Sequence, residues 1–433
     1  MTKFIELKLF IICFLTRFIT FTIFPNLSDV LDNSVEFSTP ITSFKSLKEG
    51  IYLLNHDLPL YDGGLVHQPI LLISLFRSII TSSYTLSNLL YSFVDSLFPI
   101  VLFRLMNKIS TSSSGTHTKE EKIEPYNKFS WIIGSLYIIN PLTFLSCISK
   151  NTCIFSNLLI LLSLYIAYTY QGNRAKNMFL SGSLLALSGY LSLYSILLII
   201  PLLSINIGLA KNRNQNDSGI FLIVGFISTL LTTIILSFTL NNFSWDFIYS
   251  VYGVNMNFEK LYPNIGLWWY FFVEMFEFFI PFFKTVFNLF LASFILPFTL
   301  RFHHTSSKNI NLLLYSFVLC LSWITLTKPY PTLGDTGFVL SFLPLFFPIF
   351  CYMKYSIISI LLFIHSIVLA PIFYYLWIGL GSGNSNFFYA ITLVYGLALS
   401  SVIIDICWAM LRMEYDNDNG CDRPNLNIQL TQI

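Results

Sequence analysis

The stretch FIELKLFIICFLTRFITFTIF, residues 4–24, decides how the rest of the chain is read. Lys3 and Lys8 stand at its start, it has no small-residue cleavage site, and it is long enough to cross a bilayer. It therefore reads as a signal anchor and not as a removable signal peptide. Apolar runs of the same length recur to the far end of the chain: of 433 residues 55% are hydrophobic, 11% carry charge and 44 are Phe. The expected class is an all-α polytopic membrane protein. A net charge of +2, with Lys and Arg in short clusters between apolar runs, reports topology and gives no reason to expect nucleic acid as a partner.

Twelve segments have the length and apolarity to cross: 4–24, 84–107, 129–149, 152–170, 177–193, 195–210, 219–241, 281–301, 309–327, 336–353, 355–378 and 387–411. An even number puts both termini on one side. The connections holding Lys108, Lys119, Lys122 and Lys128, Arg174 and Lys176, Lys211 and Arg213, Arg301 and Lys308, Lys354, and Arg412 fall on the side of Lys3 and Lys8, so the positive-inside bias makes that side cytosolic. Two apolar pieces break the count if they cross. Pro69–Ile80 is too short and carries Arg77, and Ile265–Ile280 carries Glu274 and Glu277, so both are expected as re-entrant or interfacial helices. One multispanning domain, residues 1–411, then has lumenal segments 26–83, 242–280, 328–335 and 379–386, a cytosolic loop 108–128 and a cytosolic tail 412–433.

The unusual residues gather on the lumenal side. In 35–54, VEFSTPITSFKSLKEGIYLL, Thr39 is placed to cap a helix and Pro40 to open it; Ile41, Phe44, Leu47, Ile51 and Leu54 then share one face while Lys45, Lys48 and Glu49 point away. This reads as an amphipathic helix on the membrane surface. Asp29, Asp32 and Glu36 just precede it, where a sugar-transferring enzyme that uses lipid-linked donors would keep a catalytic carboxylate, although acids in a lumenal loop are more often simply solvated. His67, in LYDGGLVHQPILL (60–72), reads as a hydrogen-bonded interface residue. In LYPNIGLWWYFFVEMFEFF (261–279) an aromatic belt explains each ring, Trp268 and Trp269 among them, but not the carboxylates of Glu274 and Glu277, whose spacing of three puts both on one helical face. In KPYPTLGDTGFVLSFLP (328–344) Asp335 is placed to cap the next span, with Lys328 and Tyr330 at the same boundary and within reach of a phosphate. In LWIGLGSGNSNFFYAITL (376–393) Gly381 and Gly383 permit a turn, Asn384 or Ser385 caps a helix, and its first-turn amides attract phosphate.

These five segments, in this order and spacing from near residue 35 to near 415, resemble the PIG-U family, the multispanning subunit of glycosylphosphatidylinositol (GPI) transamidase. The resemblance implies a fold like that of the GT-C glycosyltransferases, a place in the endoplasmic reticulum membrane, and a non-catalytic role in binding and presenting the GPI lipid anchor. It implies as partners the caspase-like protease subunit PIG-K, with PIG-T, PIG-S and the GPAA subunit, in a complex that replaces a C-terminal signal of a proprotein by the anchor. No cofactor or metal is expected, since the seven Cys lie nearly all in apolar runs with no CxxC and no His at ligand spacing. A phospholipid with a phosphorylated glycan needs an apolar groove topped by hydrogen-bonding groups. The candidate contacts are Asn384, Ser385, Asn386, Phe387, Phe388 and Tyr389, then Lys328, Tyr330, Asp335, Trp268, Trp269 and Glu274. The alternative is a GT-C mannosyltransferase of GPI biosynthesis that draws on dolichol-phosphate mannose through the acids at 29–36. Transport is disfavoured, because Asp95 and Asp405 are the main charges inside spans and no paired discontinuous helices appear.

Overall fold

The computed structural model describes residues 2–82, 84–113, 123–169, 173–212, 219–257, 261–305 and 311–419. Residues 114–122 of the expected cytosolic loop and 420–433 of the tail lie outside them, with Lys119, Lys122, Arg213, Lys308 and Cys421. The described residues are helical, with no strand among them. In chain order the α-helices are α1 (Thr2–Ile23), α2 (Pro25–Asp32), α3 (Phe44–Asn55), α4 (Ile70–Ser82), α5 (Tyr84–Ser113), α6 (Ile123–Ile139), α7 (Pro141–Ile148), α8 (Cys153–Ala167), α9 (Arg174–Leu191), α10 (Ile199–Asn212), α11 (Gly219–Leu240), α12 (Val254–Asn257), α13 (Trp269–Glu274), α14 (Ile280–Ser293), α15 (Ile295–Thr305), α16 (Asn311–Thr327), α17 (Leu333–Leu340), α18 (Ser356–Tyr374) and α19 (Ser385–Asp418). They fall into two compact units, Met1–Ser341 and Phe342–Ile433.

Six helical segments are long and apolar enough to cross a membrane, or up to nine if each of three bent pairs is one span. Burial sorts them. In the α5 span 67% of the residues are buried, whereas in the α14–α15 span 11% are, and Phe282, Leu289, Leu296 and Leu300 point outward. An apolar helix that leaves its apolar side chains exposed is built for lipid, so the larger unit has a protein-enclosed centre and lipid-facing flanks. The expected spans 152–170 and 309–327 are realised as shorter apolar helices, Cys153–Ala167 and Leu312–Thr327. The expected span 129–149 bends by 56° between α6 and α7, where Pro141 opens α7 and the Asn140 side chain caps it by accepting from the Leu142 amide at 3.0 Å.

Small residues bring neighbouring helices together. A Cβ on Gly182 of α9 would lie 2.1 Å from the Leu222 carbonyl oxygen of α11, and one on Gly225 of α11 would lie 2.2 Å from the Phe179 oxygen of α9. The two backbones touch there, as packing in lipid favours. Ser163 of α8 and Ser181 of α9 each donate to the other's carbonyl at 2.8 Å. Gly334 and Gly337 likewise let α17 lie against Ser146, Leu142 and Thr143 of α7.

Two intramembrane carboxylates have defined structural tasks. Asp95 of α5 accepts from Arg17 Nε of α1 at 2.7 Å and from the Tyr137 hydroxyl of α6 at 2.6 Å, while Arg17 Nη1 donates to the Ile138 carbonyl at 3.0 Å. Both charged side chains are fully buried. Asp405 of α19 accepts from the amides of Lys354 and Tyr355 at 2.8 and 2.9 Å, and so closes the N-terminus of α18 within the smaller unit.

Candidate functional site

In the larger unit the segment 328–335 and the residue before it are held by two other segments, 264–268 and the first loop. Asn264 Nδ2 donates to the Pro329 carbonyl at 3.1 Å, the Trp268 indole donates to the Thr327 carbonyl, and the Leu333 amide donates to the Glu36 carbonyl at 2.9 Å. Gly266 lies so close to Pro331 that a Cβ there would come within 2.8 Å of the proline ring. α17 starts at Leu333, earlier than expected, so its cap is Thr332 and not Asp335: the Thr332 hydroxyl accepts from the Asp335 amide while the Asp335 carboxylate, inside the first turn, accepts from the Thr332 amide at 3.0 Å, a reciprocal capping box. The same carboxylate pairs with Lys328 at 2.6 Å, so the lysine's charge is already matched. Tyr330 is buried beside them, and the three residues line one small cavity with Tyr194, Asn255 and Thr152. That cavity has about 40 Å³ open to water centres, well short of the several hundred Å³ of a typical ligand pocket.

Trp268, Trp269 and Glu274 do not join this cavity. Trp268 stacks on Phe287 of α14 at 4.0 Å, Trp269 is fully buried, and Glu274 is exposed at the end of α13. The expected continuous helix over 265–280 is replaced by two pieces. The chain is extended at Met275 and Phe276, forms a 3-10 turn over Glu277–Phe279, and re-enters α-helix at Ile280 with Pro281 in the first turn. Glu274 and Glu277 therefore share no helical face.

The first loop also departs from the expectation in one place. The amphipathic helix α3 begins at Phe44, and its cap is Ser43, whose hydroxyl accepts from the Ser46 amide at 3.0 Å, not Thr39. The apolar face is as expected, with Phe44, Leu47 and Ile51 buried. Asp32 accepts from the Phe44 amide at 3.0 Å and from the Ser38 hydroxyl at 3.2 Å, and Asp29 lies 3.8 Å from Lys48. Glu36 is 4% exposed, and burial raises its carboxyl above the ordinary carboxylate range. His67 Nδ1 meets the Ser250 carbonyl at 2.9 Å, an interface bond as expected, and burial lowers its pKa.

Sequence reasoning passed over Lys150, in the turn between α7 and α8. Its side chain is fully buried, donates to the Ser87 hydroxyl at 3.1 Å, and sits 3.6 Å from the centre of the Tyr84 ring. Burial lowers its pKa to about 7. Only the oddity of a lysine between two apolar runs pointed to it.

In the smaller unit the collar 381–389 is an ordered turn ahead of a long helix. Gly381 takes a left-handed φ of 63°, and the amides of Ser382 and Gly383 both donate to the Leu376 carbonyl, at 3.1 and 2.9 Å. Asn384 is the cap, its Oδ1 accepting from the Asn386 amide at 2.6 Å. Its amide nitrogen makes no hydrogen bond among the described residues, so one side chain both closes the helix and presents a donor. Asn384 and Asn386 are exposed, Ser385 and Tyr389 half-buried. Phe387 is exposed and stacks on Phe373, whereas Phe388 is fully buried against Tyr374 and Trp377. The two neighbouring rings thus divide the work: Phe388 fixes the helix start and Phe387 offers an apolar surface.

Comparison with known proteins gives these features a common frame. The family model described as GPI transamidase subunit PIG-U matches residues 11–395. GPI transamidase component GAB1 of Saccharomyces cerevisiae is 48% identical over 427 residues, 99% of each chain. The GPI-anchor transamidase component PIGU of Homo sapiens is 32% identical over 413 residues, 91% of each chain. The GAB1 homolog of Schizosaccharomyces pombe is 29% identical over 414 residues, 94% of this chain and 93% of its own. A match that runs through the capped loop at 328–335 and the collar at 381–389 means that the chain belongs to the PIG-U family of GPI transamidase subunits.

Proposed function

We propose that the chain serves a GPI transamidase as a non-catalytic membrane subunit that binds the GPI anchor and presents it for attachment to proprotein C-termini. The observation that carries this reading is the collar of the smaller unit, where the Asn384 and Asn386 side chains and the exposed Phe387 ring lie together at the start of α19. A phosphorylated glycan on two hydrocarbon tails asks for that pairing of hydrogen-bonding groups and apolar surface. Lys328, Tyr330 and Asp335 are a second candidate contact on the larger unit, with Trp268, Trp269 and Glu274 as the flanking aromatic segment. In the same reading the chain lies in the endoplasmic reticulum membrane with both termini cytosolic, has a GT-C-like fold of twelve spans in one multispanning domain, and works beside PIG-K, PIG-T, PIG-S and the GPAA subunit.

The acids of the first loop favour this reading over the mannosyltransferase one. Asp32 is engaged with the Phe44 amide and Ser38, Asp29 lies near Lys48, and Glu36 is buried. A transferase base has to face an accommodating cavity, and none of the three lines the cavity at Lys328. The test compares Asn384→Lys with Ser382→Ala in cells that lack the native protein, reading surface display of a GPI-anchored reporter. Asn384→Lys puts a bulky charge where an amide donor stands and is expected to reduce display at least tenfold, with Ser382→Ala near wild type and both complexes assembled. Equal display by the two variants, at equal assembly, refutes an anchor contact at the collar.

A further inference from the structure

Three small cavities in the larger unit share walls. The first, at the lumenal boundary in the expected topology, holds the Lys328–Asp335 pair in its lining; the second shares Ser192, Lys328 and Asp335 with it and adds Asn157 and Ser195. The third shares Asn157 and Phe338 with the second and reaches Asp95 and Tyr137. Measured as space open to water centres they hold about 40, 20 and 10 Å³, and one water needs about 10–15 Å³ on that measure. The series is too narrow for lipid or sugar and wide enough for single waters. It also runs deep, because Asp95 lies roughly 16 Å along α5 from the helix start at Tyr84.

The side chains at the junctions are polar and unmatched. Asn157 is 6% exposed and Ser195 5% exposed, and neither side chain makes a hydrogen bond among the described residues. A buried amide in an apolar helix costs stability unless it is bonded, and a position shared by two cavities is where an amide can bridge two waters. The neighbouring walls bring a carboxylate and an ammonium at one end and another carboxylate at the other, so water there has the two to four polar partners it requires.

We propose that these cavities hold a chain of ordered waters, with Asn157 as its central bridge, that joins the Lys328–Asp335 pair to the Asp95 carboxylate in the bundle interior. The chain hydrates the charged centre on which α1, α5 and α6 converge and ties the loop 328–335 to it. This inference is independent of whether the collar binds an anchor.

A density map of the purified complex at a resolution that shows ordered water tests it directly. Peaks within hydrogen-bond distance of the Asn157 amide and of Ser195, continuing toward Asp95, are the expected result. A map that shows Asn157 bonded to a protein group, or dry cavities, overturns the proposal. Thermal unfolding of the intact complex supplies an independent sign test. Asn157→Leu is nearly isosteric, and in a hydrated site it lowers the unfolding midpoint by removing the bridge, with Asn157→Ser losing less because a polar group stays. In a dry site Asn157→Leu leaves the midpoint unchanged or raises it, and that outcome refutes the water chain.

Discussion

Asp95→Ala leaves the Arg17 guanidinium buried in the bundle without its carboxylate. The pair is closed at 2.7 Å with both side chains fully buried, and the Tyr137 hydroxyl completes the carboxylate at 2.6 Å. At an effective dielectric of about 20, two unit charges 4 Å apart attract by about 4 kcal/mol. Removing one partner of a buried pair costs about 3–5 kcal/mol, because the survivor stays desolvated. The remaining Arg17 contacts, the Ile138 carbonyl at 3.0 Å and the Phe144 ring at 5.0 Å, do not neutralise it. Arg17→Met leaves the complementary orphan and has a cost of similar size. The double variant Arg17→Met with Asp95→Ala has neither charge and is expected to be no worse than either single, which makes the coupling roughly 3 kcal/mol, the upper end for residues in contact. The assay is thermal unfolding of the detergent-purified complex for wild type, both singles and the double. Additive losses in the double, or an unchanged midpoint for Asp95→Ala, refute the claim that the two charges hold α1 to α5.

Gly182→Leu has to separate α9 from α11, since even a Cβ meets the Leu222 oxygen at 2.1 Å; a loss of about 1–3 kcal/mol or more is expected, read as a fall in the yield of monodisperse complex. Glu36 has a carboxyl raised by burial, so native chain keeps a proton where unfolded chain has released it; the stability this contributes is fully present below the ordinary Glu value and is lost as pH rises through the raised one. Glu36→Gln is therefore expected to flatten the unfolding midpoint over that interval and to stabilise at neutral pH by on the order of 1 kcal/mol, a pH series of midpoints being the check. Asp32→Asn keeps an oxygen for the Phe44 amide but not the charge on it, so about 1 kcal/mol is expected to go; the glycan of GPI precursors, analysed by mass, is expected at full length, and truncated glycans would favour the transferase reading.

Membrane class and the boundary segments were legible because they rest on local signals: run length, the basic clusters, the capping residues of α17 and α19. Asn384 caps where its spacing says it does, whereas α17 begins early, with Thr332 as its cap and Asp335 completing the capping box from the first turn. What stayed hidden depends on partners far along the chain. Arg17 sits in an apolar run and finds Asp95 78 residues away, a pairing that no periodicity encodes. Lys150 likewise finds its environment in Ser87 and Tyr84. The aromatic segment was misread for a nearer reason. Its apolar pattern, broken by Glu274 and Glu277 alone among charges, suits one helix through 280, but Pro281 belongs in a first helical turn, where its missing amide is harmless, and so a helix restarts at Ile280 instead of passing through. Thr39 and Ser43 show the same limit on a smaller scale. Both precede an apolar period, and the amides of Thr42 and Ser43, donating to the Thr39 carbonyl at 3.0 and 2.9 Å, together with a hydrogen bond between the Thr39 and Thr42 hydroxyls at 2.8 Å, draw Thr39 into a turn and leave Ser43 to cap.

The polar residues of the first loop bear on what kind of subunit this is. Asp32 fixes the start of α3, Glu36 supplies the carbonyl that receives the Leu333 amide, and Asn151 donates to the Phe37 carbonyl. The loop after the first span, the turn at Lys150 and the segment 328–335 are thus bonded into one floor. Of the three acids Asp32 commits its carboxylate to a backbone amide and is so withdrawn from proton transfer, whereas Glu36 takes part through its backbone carbonyl with its side chain buried. In the role we propose, an anchor held by a preorganised surface would lose less freedom on reaching the reacting partner than one held by a mobile loop. The packed glycine contact between α9 and α11 and the reciprocal serines between α8 and α9 extend that stiffness through the larger unit. In the anchor-presenting role proposed above, such stiffness suits holding a substrate for another subunit.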